Sequence, residues 1–203
     1  MKTWDAFYPY VLLDVPGAAI PTVNQKLCLA AREFCARTAA WEEFSDPVAV
    51  VEGVEYDMDI PTGAELVRIV SATGADGEEI DVVVNDATPR STKGRGTRFV
   101  LTQTEDGTAF KVNAALSGKT ITVLMAFKPL LTATSVGDVL AVKYADAIAA
   151  KAKAMLQLVP NQPFSDPGSA AVNASLFEAM VHQVANRSFA ARTHKRVSRM
   201  DIA

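Results

Sequence analysis

The sequence predicts an α+β chain: a small helical bundle of three main helices, an inserted antiparallel β-module of about six strands, and an extended C-terminal arm. Three observations carry this. Apolar stripes at three- and four-residue spacing lie near both ends of the chain. Between them, after Asp46-Pro47, the pattern changes to short β-branched runs separated by glycine turns. The last eighteen residues then carry five cations, Arg187, Arg192, Lys195, Arg196 and Arg199, against one acid, Asp201. The expected division is a helical body of residues 1–45 and 130–186, a β-module of residues 46–129, and a basic arm of residues 187–203.

The opening "YPYVLLDVPGAAIP" is punctuated by Pro9, Pro16, Gly17 and Pro21, so an extended, irregular course is expected. Its tyrosines and leucines are too apolar for a free linker. "TVNQKLCLAAREFCARTAAW" reads as a helix with Thr22 as N-cap and Asn24 as a competitor. Val23, Leu27, Ala30, Ala31, Phe34, Cys35, Thr38 and Trp41 share one stripe.

The β-module follows in six runs: "VAVVEGVEYDMDI", "AELVRIVSA", "EEIDVVV", "TRFVLTQT", "TAFKVNA" and "KTITVLMAF". Asp106-Gly107 marks its clearest hairpin. The stretch "NDATPRSTKGRGTR" has no apolar period and reads as a long basic loop carrying Arg90, Lys93, Arg95 and Arg98.

Beyond Pro129 helical spacing returns. Residues 135–159 read as one helix capped by Ser135 and stopped by Pro160, with Val136, Leu140, Ala141, Tyr144, Ile148, Ala152, Met155 and Leu156 inward. "PNQPFSDP" connects it to a last helical run, residues 168–197, with Val172, Leu176, Phe177, Met180, Val184 and Ala185 inward. The helices can share one core; the β-module must supply its own.

An apolar fraction of 49% with 21% charged residues suits a chain that buries a core. No apolar run is long enough to cross a membrane. The N-terminus lacks the apolar stretch and cleavage site of a secretory signal, so a protein made in the cytoplasm is expected. Cys28 and Cys35 lie seven residues apart on one helix, about 10 Å, which is beyond disulfide reach. They read as buried free thiols, with no metal partner nearby in sequence.

The chemical motifs that would define an enzyme do not assemble. "STKGRGT" lacks the order of a phosphate-binding loop. Neither His182 nor His194 has a nucleophile nominated beside it. The acid pairs Glu42-Glu43, Glu78-Glu79 and Asp57/Asp59 lack the spacing of a calcium loop. The expectation is a non-enzyme without cofactor or metal. The whole chain carries 20 Lys+Arg and 23 Asp+Glu; without the last eighteen residues these become 15 and 22, so the body stands at −7.

Composition leaves three readings of the basic end open. It can be a solvated helix terminus, since cations favour that end of the helix dipole. It can meet nucleic acid phosphates, although Phe189 is its only stacking platform and the body is acidic. Or it can enter an acid-walled groove on a protein and order there.

The segment "FYPYVLLDVPGAAIPTVNQKLCLAAREFCARTAAW" resembles the start of a family of phage and prophage head-to-tail adaptors. That family opens with Tyr-Val-Leu…Asp-Val-Pro-Gly and a helix ending near Phe-Cys…Thr…Trp. "YADAIAAKAKAMLQLVPNQPFSDPGSAAVNASLFEAMVHQVANRSF" is similar to its second landmark: a helix, a Pro-containing turn, and a long helix entering a basic tail. The order of elements also resembles the tail tubular protein A type of adaptor in short-tailed phages. These are packing and turn residues, and the β-insert is the least alike.

The resemblance implies a homo-oligomeric ring, usually of twelve copies, at the head–tail junction of the virion. The ring would sit between the portal protein and the tail nozzle protein, and line the channel for genomic DNA without binding it specifically. The segment matching the portal-binding arm holds Arg187, Phe189, Arg192, His194, Lys195, Arg196 and Arg199. The loop with Arg90, Lys93, Arg95 and Arg98 is a candidate tail-side or inter-subunit contact. The alternatives are a neck or tail-completion protein of a long-tailed phage, a nucleic-acid-binding module using the basic tail, and a small enzyme with an unrecognised site.

Overall fold

The computed structural model describes residues 1–84, 100–104 and 107–197; for Val84 and residues 188–197 only the backbone is described. The chain is a mixed α+β protein with five α-helices and an eight-stranded sheet among these residues. It divides into two compact units, Met1–Trp41 with Lys128–Ala203, and Glu42–Phe127.

In the first unit the N-terminal segment is helical where the sequence suggested an extended course. Strand β1 (Lys2–Thr3) leads into a 3-10 turn (Trp4–Phe7) and helix α1 (Tyr8–Val11). Trp4, Phe7, Val11 and Val15 are buried. The Trp4 indole N–H donates to the Ala133 carbonyl at 2.8 Å, so this apolar segment finds its partner within the chain. Burial outweighs the proline punctuation, because Pro9 occupies the first turn of α1, where its missing N–H is harmless.

Helix α2 (Ile20–Thr38) starts two residues before the expected Thr22 cap; Pro21 lies in its first turn. It also stops short of Trp41. Ala39 takes a left-handed conformation (φ 53°), its N–H returns to the Cys35 carbonyl at 2.8 Å, and Trp41 opens strand β2 (Trp41–Phe44). Trp41 fits the helical stripe by spacing, yet the sheet recruits it, a tertiary override of local pattern. The rest of the stripe is buried as expected, from Val23 to Thr38.

The expected helix over residues 135–159 is broken. Strand β10 (Ser135–Val136) pairs antiparallel with β1. Helix α3 (Asp138–Lys143) and helix α4 (Ala145–Gln157) meet at Tyr144, whose backbone is not helical (φ −129°, ψ 16°). Its ring lies 5.1 Å from that of Phe34. Helix α5 (Pro167–Val197) completes the unit; it follows the helical run expected over residues 168–197, and so takes in residues 187–197, which were also read as the start of an extended arm. Among the described residues the first unit therefore contains five α-helices, of which α2, α4 and α5 are the long ones.

The second unit holds strands β3 (Val48–Ala49), β4 (Glu55–Asp57), β5 (Ala64–Gly74), β6 (Glu79–Val84), β7 (Val100–Gln103), β8 (Ala109–Val112) and β9 (Thr120–Pro129). The sheet order is β2-β9-β5-β6-β7-β8-β4, with β3 also paired to β9. Strands β7 and β8 form the expected hairpin, with Leu101 opposite Val112 and Gln103 opposite Phe110. Gly107 in its turn has φ 74°, the left-handed conformation that glycine adopts freely. Asp106 lies outside the described residues.

The sheet is not purely antiparallel. Strands β6 and β7 run parallel, with Asp81 opposite Val100 and Val84 opposite Gln103. A parallel pair cannot be joined by a tight turn; it needs a crossover of about a dozen residues or more. The fifteen residues 85–99 connect β6 to β7. On β9 the alternation of Ile121, Val123 and Met125 toward the interior is clean.

Candidate interaction surface

Helix α5 organises the candidate site. The side chain of Asp166 accepts hydrogen bonds from the Gly168 and Ser169 N–H groups at 2.9 and 3.1 Å, and from the Ser169 hydroxyl at 2.6 Å. With Pro167 as its first residue, the helix thus has an N-terminus that "SDPGS" specifies locally. The Ser169 hydroxyl, foremost, holds the Asp166 carboxyl below its usual range.

The helix is buried through Ala170, Asn173, Phe177 and Val181. The expected inward stripe was rotated from this: Phe177 is common to both, but Val172 and Leu176 are exposed. Buried Asn173 explains the error. Its amide donates to Gln157 Oε1 of α4 at 2.9 Å, so a polar pair occupies a position that hydropathy assigns to an apolar residue.

Charge fastens the same stretch. The Arg37 guanidinium of α2 donates to both carboxylate oxygens of Glu178 at 2.7 and 2.6 Å. Arg37 also approaches Glu33 at 3.4 Å, and Lys151 of α4 meets Glu33 at 2.8 Å. Both cations lie near the fully buried Phe177 ring, Arg37 at 5.8 Å and Lys151 at 5.0 Å from its centroid. The Arg37 hydrogen bonds, first, lower the Glu178 carboxyl pKa.

Among the described side chains past Val181 the burial of the helix falls off. Val184 and Ala185 are half-buried, while His182, Asn186 and Arg187 are exposed. His182 therefore lies off the inward stripe. Of the residues proposed to touch a partner, Arg187 is described in full. Phe189, Arg192, His194, Lys195 and Arg196 belong to the α5 backbone, and their side chains lie outside the described residues. Arg199 and the loop residues Arg90, Lys93, Arg95 and Arg98 lie outside them altogether.

Depressions open among the described residues of the first unit. A groove of about 880 Å³ runs beside the start of α5, lined among others by Asp14, Gln157, Phe164, Asp166 and Val172. Its acids are already engaged: Lys153 donates to Asp14 at 2.7 Å, and Asp166 caps α5. A cleft of about 400 Å³ near the N-terminus is lined by Trp4, Tyr8, Asn24 and Cys28, without a histidine. There the Tyr8 hydroxyl donates to Asn24 at 2.9 Å and the Cys28 thiol to the Leu130 carbonyl at 3.2 Å.

Both cysteines are buried free thiols on α2. Burial pushes the Cys35 thiol up to about 12 and raises that of Cys28. Among the described residues no group of three or more His, Cys, Asp or Glu side chains could hold a metal ion. No helix among them is long and apolar enough to cross a membrane. No family model matches the chain, and no curated protein matches it.

Proposed function

We propose that this chain is a structural head-to-tail adaptor of a bacteriophage, assembled as a ring between portal and tail nozzle. The observation that carries the reading is the division of α5. Its first half is fastened by a cap, a buried amide pair and a bidentate ion pair. Its second half continues as helix, past its last described buried side chain, into the basic segment. A helix that ends in its own core needs no such continuation; one that grips a neighbour does. The likeness of the N-terminal segment and of the α4–α5 connection to the adaptor family supports the same assignment.

In this reading the C-terminal half of α5 meets the portal, the unit Glu42–Phe127 faces the tail, and the acidic body lines the channel. A like-charged wall avoids holding the passing duplex. Each contact is weak alone, and the ring multiplies it through effective concentration. The subunits are made in the host cytoplasm and function in the virion.

The test mixes purified chain with the portal protein of the same phage and images the product. Rings seated on the portal are expected, and deletion of residues 186–203 should abolish docking while leaving the first unit folded. Docking that survives the deletion defeats the proposal. Salt-sensitive retention of DNA on a filter, with no portal docking, would favour the nucleic-acid reading instead.

A further inference from the structure

We propose that the groove beside the start of α5 binds an extended segment of polypeptide, neutral or basic, and reads its backbone through the amide pair Gln157–Asn173. The proposal is independent of the adaptor reading.

Gln157 of α4 is 4% exposed and Asn173 of α5 is 9% exposed, and both line the groove. Asn173 Nδ2 donates to Gln157 Oε1 at 2.9 Å, which uses one half of each amide. The other halves, Gln157 Nε2 and Asn173 Oδ1, have no partner among the described residues. Side-chain nitrogens and oxygens sealed from solvent there are all hydrogen-bonded, so these two atoms are not sealed. The groove that both residues line is the opening they share. Turning both amides over keeps the bond between them and again leaves one donor and one acceptor free. In either state the groove offers an N–H beside a C=O.

Stability alone does not call for this pair. Two bonded amides in a seam between helices can be exchanged for apolar side chains of similar shape with little loss, or none. A polar device placed in such a seam, with half of its hydrogen-bonding capacity turned outward, points to a ligand that uses it.

The complement of one donor beside one acceptor is a peptide residue, whose N–H and C=O point to the same side of an extended chain. Its neighbouring side chains would lie against Pro16, Pro163, Phe164 and Val172, the apolar part of the lining. Among the described residues that lining holds the carboxylates of Asp14 and Asp166 and no Lys or Arg. A phosphate-bearing ligand therefore finds no counter-charge there, and an acidic peptide is disfavoured. A sugar ring needs partners for several hydroxyls, and one free pair serves only one of them. The volume of about 880 Å³ lies within the range of ligand clefts, roughly 300–1,000 Å³.

The test uses the full chain, immobilised, with a pool of random heptapeptides blocked at both ends. The control is the double variant Gln157→Met/Asn173→Leu, whose Tm should equal or exceed the parent's. Peptides held by the parent should bind the double variant about tenfold more weakly or worse, the scale of two net hydrogen bonds. Methylation of the peptide nitrogen that meets the pair should cause a loss of the same order. Val172→Arg, at an exposed wall of the groove, keeps the amide pair and should weaken the same peptides without changing Tm. The proposal is overturned if the parent holds no peptide in preference to the double variant. It is overturned equally if maltotriose or ATP shifts the side-chain amide resonances of Gln157 and Asn173 and no peptide does. Should the double variant not fold, Val172→Arg decides, and undiminished peptide binding by it sinks the idea. None of these outcomes bears on portal docking, which the 186–203 deletion tests separately.

Discussion

Gly137 is the residue at which the first unit should tolerate least. A Cβ built there lies 2.6 Å from both Cε2 and Nε1 of Trp41, and 2.9 Å from Cδ1. Ordinary carbon contacts begin near 3.5 Å, so one partner must move by about 1 Å. Trp41 is fully buried and cannot swing out. Gly137 cannot retreat easily either, since Ser135–Val136 is paired to Lys2–Thr3 on one side and α3 starts on the other. Its φ of −54° suits alanine, so backbone strain contributes nothing. Overpacking costs about 1–3 kcal/mol, and the lower entropy of the unfolded alanine chain returns about 0.4–1 kcal/mol. The net for Gly137→Ala is a loss of about 1–2 kcal/mol, or about 2–8 °C in Tm for a chain of this length unfolding as one. Urea unfolding followed by tryptophan fluorescence reads it directly, because Trp4 and Trp41 are the only tryptophans and both lie in the first unit. In a Trp41→Phe background, followed by circular dichroism, the penalty should shrink, since the smaller ring leaves room. A Gly137→Ala protein as stable as the parent would refute this account of the packing.

Two further outcomes are expected. Both cysteines should resist thiol labelling at pH 8 in the folded protein, with Cys28 reacting before Cys35, whose thiol is pushed up to about 12 by burial; prompt labelling of Cys35 without denaturant would contradict that burial. Asp166 should contribute a pH-dependent stability. Its folded carboxyl is depressed, so the contribution is present above its unfolded value of about 3.9 and is lost as pH falls through the folded value. The Tm difference between the parent and Asp166→Ala should therefore narrow from pH 6 to below pH 3, and a constant difference would assign the cap no charge component.

What was legible in the sequence follows from how local each cause is. The stripe of α2 from Val23 to Thr38 and the β7–β8 hairpin are set by neighbours a few residues apart, and both read correctly. The errors have distant causes. Ser135–Val136 looked helical because its strand partner, Lys2–Thr3, is far away in sequence. Trp41 looked like the end of a helix because β9 recruits it into the sheet. The parallel pairing of β6 with β7 left one trace, the length of the connection between them. On α5 the phase was misjudged because Asn173 is buried by an amide bond to Gln157, which hydropathy does not register. For the candidate site, the basic residues were legible as charge. Their place on a helix was legible as well, since helical spacing ran to Val197, although the same residues were also read as an extended arm.

If the distal half of α5 docks as proposed, stability and recognition are separable within one helix. Phe177 and Val181 are buried, so their truncation acts on folding. Arg192 and Lys195 lie eleven and fourteen residues beyond Val181, roughly 16 and 21 Å along the axis. At such distances the effects of substitutions add with little coupling. A variant at Arg192 that fails to dock should therefore show the parent's unfolding curve, and a variant at Phe177 that still folds should keep the parent's docking. Were the two properties to fall together at both positions, the distal half of α5 would be part of the folded core, and a docking role for it would be unnecessary.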